Sequence, residues 1–357
     1  FAQPIESSPH RSGRHHTNII KKKKTCSWSL STYFNIDEAQ GSPSTTEIDT
    51  AIQLLFKSLL GKEDITGGSP VFTAAVAPDL TFSLFEVGDR WARQARAAFV
   101  ESCTLQFPGN GEATMQWSGN AAESFYVGIG KSVTANTGNS VTVATGEGDL
   151  FPVGALVMII KSDGTTRSTD TSTARRVISV AGDVVTLSGA NLTDSDGTSN
   201  PVYLCYWEPS APAAINNPVT GLYGSFSVTG LAVDCLRQAS IAISNNHELV
   251  NYCYGMDSLG SPFFIPGSRL TGAFSMELNL NKELGRFFNR LTEFEAEDMT
   301  ITLGHASGRH FVLTLPKIFY TVPAFTIPET GSIPVTFQGN AYQTALDAAD
   351  EITASFL

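Results

Sequence analysis

Two stretches far apart in the chain carry the same alternation of apolar and polar residues. In GEATMQWSGNA, Gly111 to Ala121, Met115 and Trp117 fall on one face and Gln116 and Ser118 on the other. In GSIPVTFQGNA, Gly331 to Ala341, Val335 and Phe337 alternate in step with Thr336 and Gln338. Aligned without a gap, the two share the opening Gly and the closing Gly-Asn-Ala. A period of two suits a strand with one face on a core and the other in water. The flanks agree. SWSLSTYFN (Ser27 to Asn35) matches AFSMELNLN (Ala273 to Asn281), with Trp28, Leu30 and Phe34 aligned on Phe274, Met276 and Leu280. A helix-like segment follows each, then hairpin strands around TFSLFEV (Thr81 to Val87) and TITLG (Thr300 to Gly304), then the Gly-Asn-Ala strand. The same elements in the same order predict a tandem duplication of one small α+β unit of about 100 residues.

Taken in order, residues 1–24 are polar and basic, with Arg11, Arg14 and the run Lys21, Lys22, Lys23, Lys24. They read as an extended arm that docks on an acidic neighbouring subunit, with a solvated tail or a nucleic-acid patch as the other readings. The first copy spans 25–129. Its first strand is Trp28 to Ile36, and Ser44-Thr45-Thr46-Glu47 is a capping-box pattern. The helix that follows has Ile48, Ile52, Leu55, Phe56 and Leu59 on one face and stops at Gly61. Strands at Thr81 to Val87, Ala97 to Phe107 and Glu112 to Ser118 supply the sheet that this helix covers.

From 130 to 208 the texture changes to Thr, Ser, Gly and Asp with short β-branched runs. Val141 to Val143, Ala155 to Ile160, Arg176 to Val180 and Val184 to Leu187 read as strands, with hairpin turns at Asp163-Gly164 and Gly182-Asp183. This predicts a small all-β barrel or sandwich inserted between the copies. The second copy spans 209–344, with strands at Phe226 to Val228, Ala239 to Ile243, Leu270 to Leu280, His310 to Leu315 and Ser332 to Phe337. Its helix is Lys282 to Leu291. Residues 345–357 read as a C-terminal arm. The fold class is therefore mainly β (α+β).

The 357 residues, 42% hydrophobic and 16% charged, can hold two or three domains of β-rich globular composition. No apolar run approaches the 18 or so residues that span a bilayer, and the N-terminal stretch has no apolar core of a secretory leader. Five cysteines with no CxxC spacing predict buried thiols in a reducing compartment. The net charge of −11 is opposite to that of a protein that grips DNA by its phosphates.

The catalytic inventory is sparse. Gly130-Lys131-Ser132 lacks the earlier Gly of a P-loop, since that position is Phe125. No HExxH and no Gly-x-Ser-x-Gly elbow occurs. The alternating Glu293, Glu295 and Glu297, with Asp298, read as one solvated or pore-facing side rather than a cation site. The expectation is no enzyme, no cofactor and no metal. A monomeric binding or adhesin module is the alternative, supported by the Thr/Ser/Gly-rich insert and by Trp91, Tyr206 and Trp207.

WSLSTY (Trp28 to Tyr33), ESCTLQFPGNGEATMQWSGN (Glu101 to Asn120), GSRLTGAFSMELNLN (Gly267 to Asn281) and IPETGSIPVTFQGNA (Ile327 to Ala341) together resemble the major tail tube proteins of long-tailed (siphovirus) bacteriophages. The likeness is to the type with two copies of the tube fold in one chain, and it leaves the insert out. It implies a β-sandwich or half-barrel flanked by a helix in each copy. It also implies homotrimeric, pseudo-hexameric rings stacked into a hollow tube around a tape-measure protein, with tail terminator and tip proteins at the ends. Such a virion protein would assemble in the host bacterial cytoplasm and conduct DNA without specific binding, away from any membrane. A bore that passes DNA should be polar and acidic. The candidate lumen-facing residues are Ser102, Thr104, Gln106, Glu112, Thr114, Gln116 and Ser118 in the first copy. In the second they are Ser275, Glu277, Asn279, Ser332, Thr336 and Gln338.

Overall fold

The computed structural model describes residues 5–7, 11–12, 15–16, 19–21, 26–34, 50–65, 69–75, 78–88, 91–127, 130–161, 163, 166–192, 203–207, 224–228, 236–250, 263–265, 271–279, 288–289, 291–293, 296–304, 310–323, 331, 333–346 and 348–357. The protein is mainly β, with one large antiparallel sheet and a closed six-stranded barrel. Short strands open the chain: β1 (Ile5–Ser7), β2 (Arg11–Ser12), β3 (His15–His16) and β4 (Ile19–Lys21), paired β1 with β4 and β2 with β3. Then come β5 (Cys26–Tyr33), the helix α1 (Thr50–Leu60), β6 (Gly61–Asp64), β7 (Val71–Ala74), β8 (Phe82–Gly88), β9 (Trp91–Pro108) and β10 (Thr114–Val127). The barrel is β11 (Lys131–Thr137), β12 (Ser140–Val143), β13 (Leu156–Ile160), β14 (Arg175–Ala181), β15 (Val184–Leu187) and β16 (Tyr203–Tyr206). The rest is β17 (Ser225–Val228), β18 (Leu236–Ser244), β19 (Glu248–Val250), β20 (Phe263–Ile265), β21 (Thr271–Asn279), β22 (Glu297–Gly304), β23 (His310–Thr321), β24 (Pro334–Ala341) and β25 (Thr353–Phe356).

Two compact units share the chain. One comprises Phe1–Phe82, Ala98–Ala122 and Pro212–Leu357, the other Ser83–Ala97 and Glu123–Ala211. The first holds most of the large sheet, whose main path runs β5-β10-β9-β18-β21-β24-β23-β25-β7-β6. In it, the strand pairs matched by sequence share a register. Trp28 of β5 stands opposite Gly119 of β10, and Phe274 of β21 stands opposite Gly339 of β24. Ser29 faces Ser118 as Ser275 faces Gln338, and Leu30 faces Trp117 as Met276 faces Phe337.

The glycines explain why that register is fixed. A Cβ on Gly119 would lie 2.7 Å from Cζ2 of Trp28 and would also meet the carbonyl oxygen of Phe99. A Cβ on Gly339 would lie 2.7 Å from Cε1 of Phe274 and would meet the carbonyl oxygen of Phe319. In both places an aromatic ring lies over bare backbone, which only glycine allows. A one-residue slip would put the ring on a side chain and turn the apolar row to water.

The apolar row faces a core of aromatics. Phe56 of α1 packs edge-on against Trp117, with ring centroids 5.1 Å apart, and stacks on Phe72 at 5.5 Å. Phe288, in a helical stretch of the other half, meets Phe337, the residue aligned with Trp117, at 5.7 Å with the rings tilted. Phe34 contacts both Phe107 (5.7 Å) and Phe311 (4.9 Å), so the two halves share one core. Phe56, Leu59 and Leu60 are fully buried, and each contributes roughly 1.5–3 kcal/mol. Gly61, at φ 89°, ends the helix as its sequence predicts.

The second unit is built on the barrel, ordered β11-β12-β15-β14-β13-β16. Val133, Val141, Phe151, Val157, Ile159, Val177, Val185 and Leu204 fill its interior. Four of its strands are legible in the sequence. Closure depends on β11 and β16, which the sequence reading missed and which pair through Lys131–Leu204 and Ser132–Tyr203.

Several expectations change. The unit containing the barrel is larger than 130–208, because β8 and the ends of β9 and β10 belong to it. Residues 345–357 are more than an arm: β25 lies between β23 and β7 in the sheet, with Ile352 and Ala354 buried. Glu297 is not on a solvated side, since it is 3% exposed within β22. The capping box at 44–47, Glu295, Cys235, Cys253 and most of the helix expected at 282–291 lie outside the described residues.

Candidate functional site: the polar face of the large sheet

The register places most of the selected polar residues on one face of one sheet. On β9, Ser102, Thr104 and Gln106 stand opposite Ser244, Ala242 and Ser240 of β18. β18 then presents Gln238 to Glu277 and Ser240 to Ser275 of β21. Ser275 and Glu277 stand opposite Gln338 and Thr336 of β24, and Asn279 opposite Pro334. On the far side, Thr114, Gln116 and Ser118 of β10 oppose Tyr33, Ser31 and Ser29 of β5. The alternate residues, among them Cys103, Leu105, Met115, Trp117, Ile241, Met276 and Phe337, are buried beneath.

Side-chain bonds knit this face across strands. Ser102 and Ser118 share a hydroxyl hydrogen bond of 2.7 Å, and Thr114 donates to the Gln106 side-chain oxygen at 3.4 Å. Glu277 accepts from Gln238 at 2.8 Å and pairs with Arg237 at 2.9 Å. On β5, β10, β9, β18, β21 and β24, Glu277 is the acid among the described residues of this face, and Arg237 pairs with it. Over these six strands the face is hydroxyl and amide in character rather than acidic. Sequence reasoning found the β18 strand but missed its role. Its Gln238, Ser240 and Ser244 alternate with Ala239, Ile241 and Ile243, which was the available signal.

The remaining candidates fall elsewhere. Glu112 is exposed just before β10. Arg11 lies in β2 and Lys21 in β4, while Arg14, Lys22, Lys23, Lys24 and Ser332 lie outside the described residues.

The two halves are stitched together just beyond β18. The backbone N–H of Asn245 donates to the Glu101 carbonyl oxygen at 2.9 Å, and its side-chain amide donates to the Val100 carbonyl oxygen at 3.1 Å. The backbone N–H of His247 donates to both carboxylate oxygens of Glu101, at 3.1 and 3.0 Å. Burial raises the Glu101 carboxyl above its ordinary range, and the backbone N–H groups of His247 and Asn246 pull it partly back. Burial lowers the His247 imidazole to about 4, so this ring is neutral at pH 7.

Groups that could carry chemistry have structural partners. Lys131, in the Gly-Lys-Ser stretch, pairs with Glu147 at 2.8 Å. Cys26 and Cys103 are buried cysteines outside any disulfide, and burial holds Cys103 well above the usual thiol range. Tyr206 is buried and stacked on Phe151 at 5.1 Å, and one face of Trp207 is covered by the Arg167 guanidinium at 4.3 Å. These two rings, which argued for a binding module, are therefore engaged within the fold. Among the described residues no three His, Cys, Asp or Glu gather as metal ligands, and no helix is long and apolar enough to cross a membrane. In comparisons with known proteins, no family model matches this chain and no curated protein matches it.

Proposed function

We propose that this chain is a tail tube protein of a long-tailed phage: two tandem tube-fold copies with an inserted barrel. It self-assembles as pseudo-hexameric trimers into stacked rings that conduct DNA. The observation that carries this reading is the repeated register. Two halves with the same strand pairing and the same ring-on-glycine contact lie in one sheet, joined where β18 meets β9. A molecule that joins two equivalent halves edge to edge has the geometry to join a third by the same step, and repeated heterologous contacts close into a ring. The continuous hydroxyl and amide face suits a bore. It solvates a passing polyanion with neutral groups, and Arg237 beside it is held by Glu277 rather than left to grip phosphates. Tape-measure, terminator and tip proteins are the expected partners, and the tail of the virion is the expected location.

Electron microscopy of the purified protein tests this. Rings or hollow tubes of uniform bore are expected. Discrete monomers that persist at high concentration and with a tape-measure partner would refute it.

A further inference from the structure

The bend that carries β9 into β10 holds the one Asn-Gly pair in the sequence, Asn110-Gly111. Asn110, Gly111 and Glu112 are all exposed. Gly109 before them is anchored: its N–H donates to the Arg237 carbonyl at 2.7 Å, and a Cβ there would lie 2.6 Å from that oxygen. Gly111 has φ 143°, a backbone conformation that favours glycine. Among the described residues no hydrogen bond holds the Asn110 side chain. Other asparagines are differently placed. Asn139 donates its amide to the Leu187 carbonyl at 2.8 Å, and Asn245 donates to the Val100 carbonyl at 3.1 Å. Asn120 and Asn340 lie within the paired strands β10 and β24, each followed by alanine. In the second half Gly331 keeps the glycine of the bend, at φ 95°, but Thr330 stands in the place of Asn110. The backbone therefore calls for the glycine in both halves and for the asparagine in neither.

We propose that Asn110-Gly111 is a self-modification site, at which the folded chain converts Asn110 to aspartate and isoaspartate with water as the co-reactant. Hydroxide removes the proton of the Gly111 amide, and the nitrogen attacks Cγ of Asn110. That N–Cγ bond closes a five-membered imide, the bond from Cγ to the side-chain nitrogen breaks, and ammonia leaves with a proton from solvent. Water then adds to one imide carbonyl and breaks its bond to nitrogen. Opening at one carbonyl gives aspartate, and opening at the other gives isoaspartate. No electrons change hands. Glycine on the C-terminal side is what makes the step accessible, because an attacking nitrogen that carries a Cβ-bearing residue is hindered. A Cβ built on Gly111 meets only Pro108, at 3.6 and 3.9 Å, so the surroundings leave the bend open. The product adds a negative charge to the net −11, beside Glu112 at the end of the polar face. Isoaspartate also lengthens the backbone by one carbon between two neighbouring strands of the sheet. The reaction needs no partner, so it is independent of what the chain assembles into.

The test incubates the folded full-length chain in heavy-oxygen water, in neutral and in mildly alkaline buffer, with a parallel sample in urea. Fragment mass spectra of the digested protein then read each asparagine separately, and ion exchange reads the charge. In the folded chain, heavy oxygen is expected at position 110 in both aspartate and isoaspartate, at a rate that rises in proportion to hydroxide. A more acidic form of the intact protein should accumulate in step. Asn139 and Asn245 should stay intact until urea releases their amides. Asn110→Gln keeps an exposed amide, so melting should match the wild type, while the acidic form is lost because glutamine must close a larger ring. An Asn110 that survives in the folded chain but converts in urea would overturn the proposal, since the bend would then hold the Gly111 nitrogen out of reach. So would an acidic form that maps to another asparagine or persists in Asn110→Gln. Aspartate without isoaspartate would overturn the imide route.

Discussion

Replacing Gly119 with alanine tests the ring-on-glycine contact directly. The added methyl would lie 2.7 Å from Cζ2 and 2.9 Å from Cε2 of Trp28 and would press on the carbonyl oxygen of Phe99. The indole can swing only by breaking the Nε1 bond that it donates to the Asn120 carbonyl at 3.3 Å. The Phe99 carbonyl belongs to β9 and cannot move without the strand. Forcing a methyl into such a place costs roughly 1–3 kcal/mol, occasionally more. Alanine recovers about 0.5–1 kcal/mol of the conformational entropy that glycine loses on folding. With backbone as one of the two obstacles, the upper part of the range applies, and the net loss is about 2 kcal/mol. That corresponds to a fall in melting temperature of about 4–8 °C for a unit of this size. Gly339→Ala should cost the same within about 0.5 kcal/mol, since its methyl would meet Phe274 at 2.7 and 2.8 Å and the Phe319 carbonyl. Urea unfolding of both variants, followed by far-UV circular dichroism, measures the loss. A loss below about 0.5 kcal/mol at either glycine would refute the argument that these contacts set the register. Adding Trp28→Leu to Gly119→Ala should restore part of the stability but not all, because the carbonyl stays where it is.

Two further outcomes are expected. In the barrel-containing unit Arg96 pairs with the largely buried Glu123 at 2.9 Å. Arg96→Ala should cost about 3–5 kcal/mol by removing a cation held 2.9 Å from a buried carboxylate, and adding Glu123→Gln should recover much of it, as urea midpoints will show. His247, held down at about 4 against an ordinary 6.5, is favoured neutral by the folded state. Its contribution is therefore complete above pH 6.5 and is lost as the pH falls toward 4, while the raised Glu101 carboxyl works in the opposite sense. An NMR titration of the imidazole should give a midpoint near 4, and a midpoint near 6.5 would contradict the buried environment assigned to this junction.

Much of the architecture could be read from alternation. The rows around Trp28, Trp117, Phe274 and Phe337 identified the strands, their buried faces and their pairwise likeness, because side-chain period is a local property of the chain. The helix ending at Gly61 and four barrel strands were legible for the same reason. The polar residues were also identifiable as a class, since each is simply the partner of a buried neighbour. The sequence could not show which strands lie side by side. Whether Ser102 and Ser275 share a face depends on β18 lying between them, and the insertion of β25 depends on where the chain's last residues find an open edge. Nor could it show that Glu297 is buried or that Arg237 neutralises Glu277. Alternation assigns a residue to a side of its own strand. What lies across from that side is set by packing between segments separated along the chain, such as β9 with β18 and β7 with β25, and only the tertiary structure decides it.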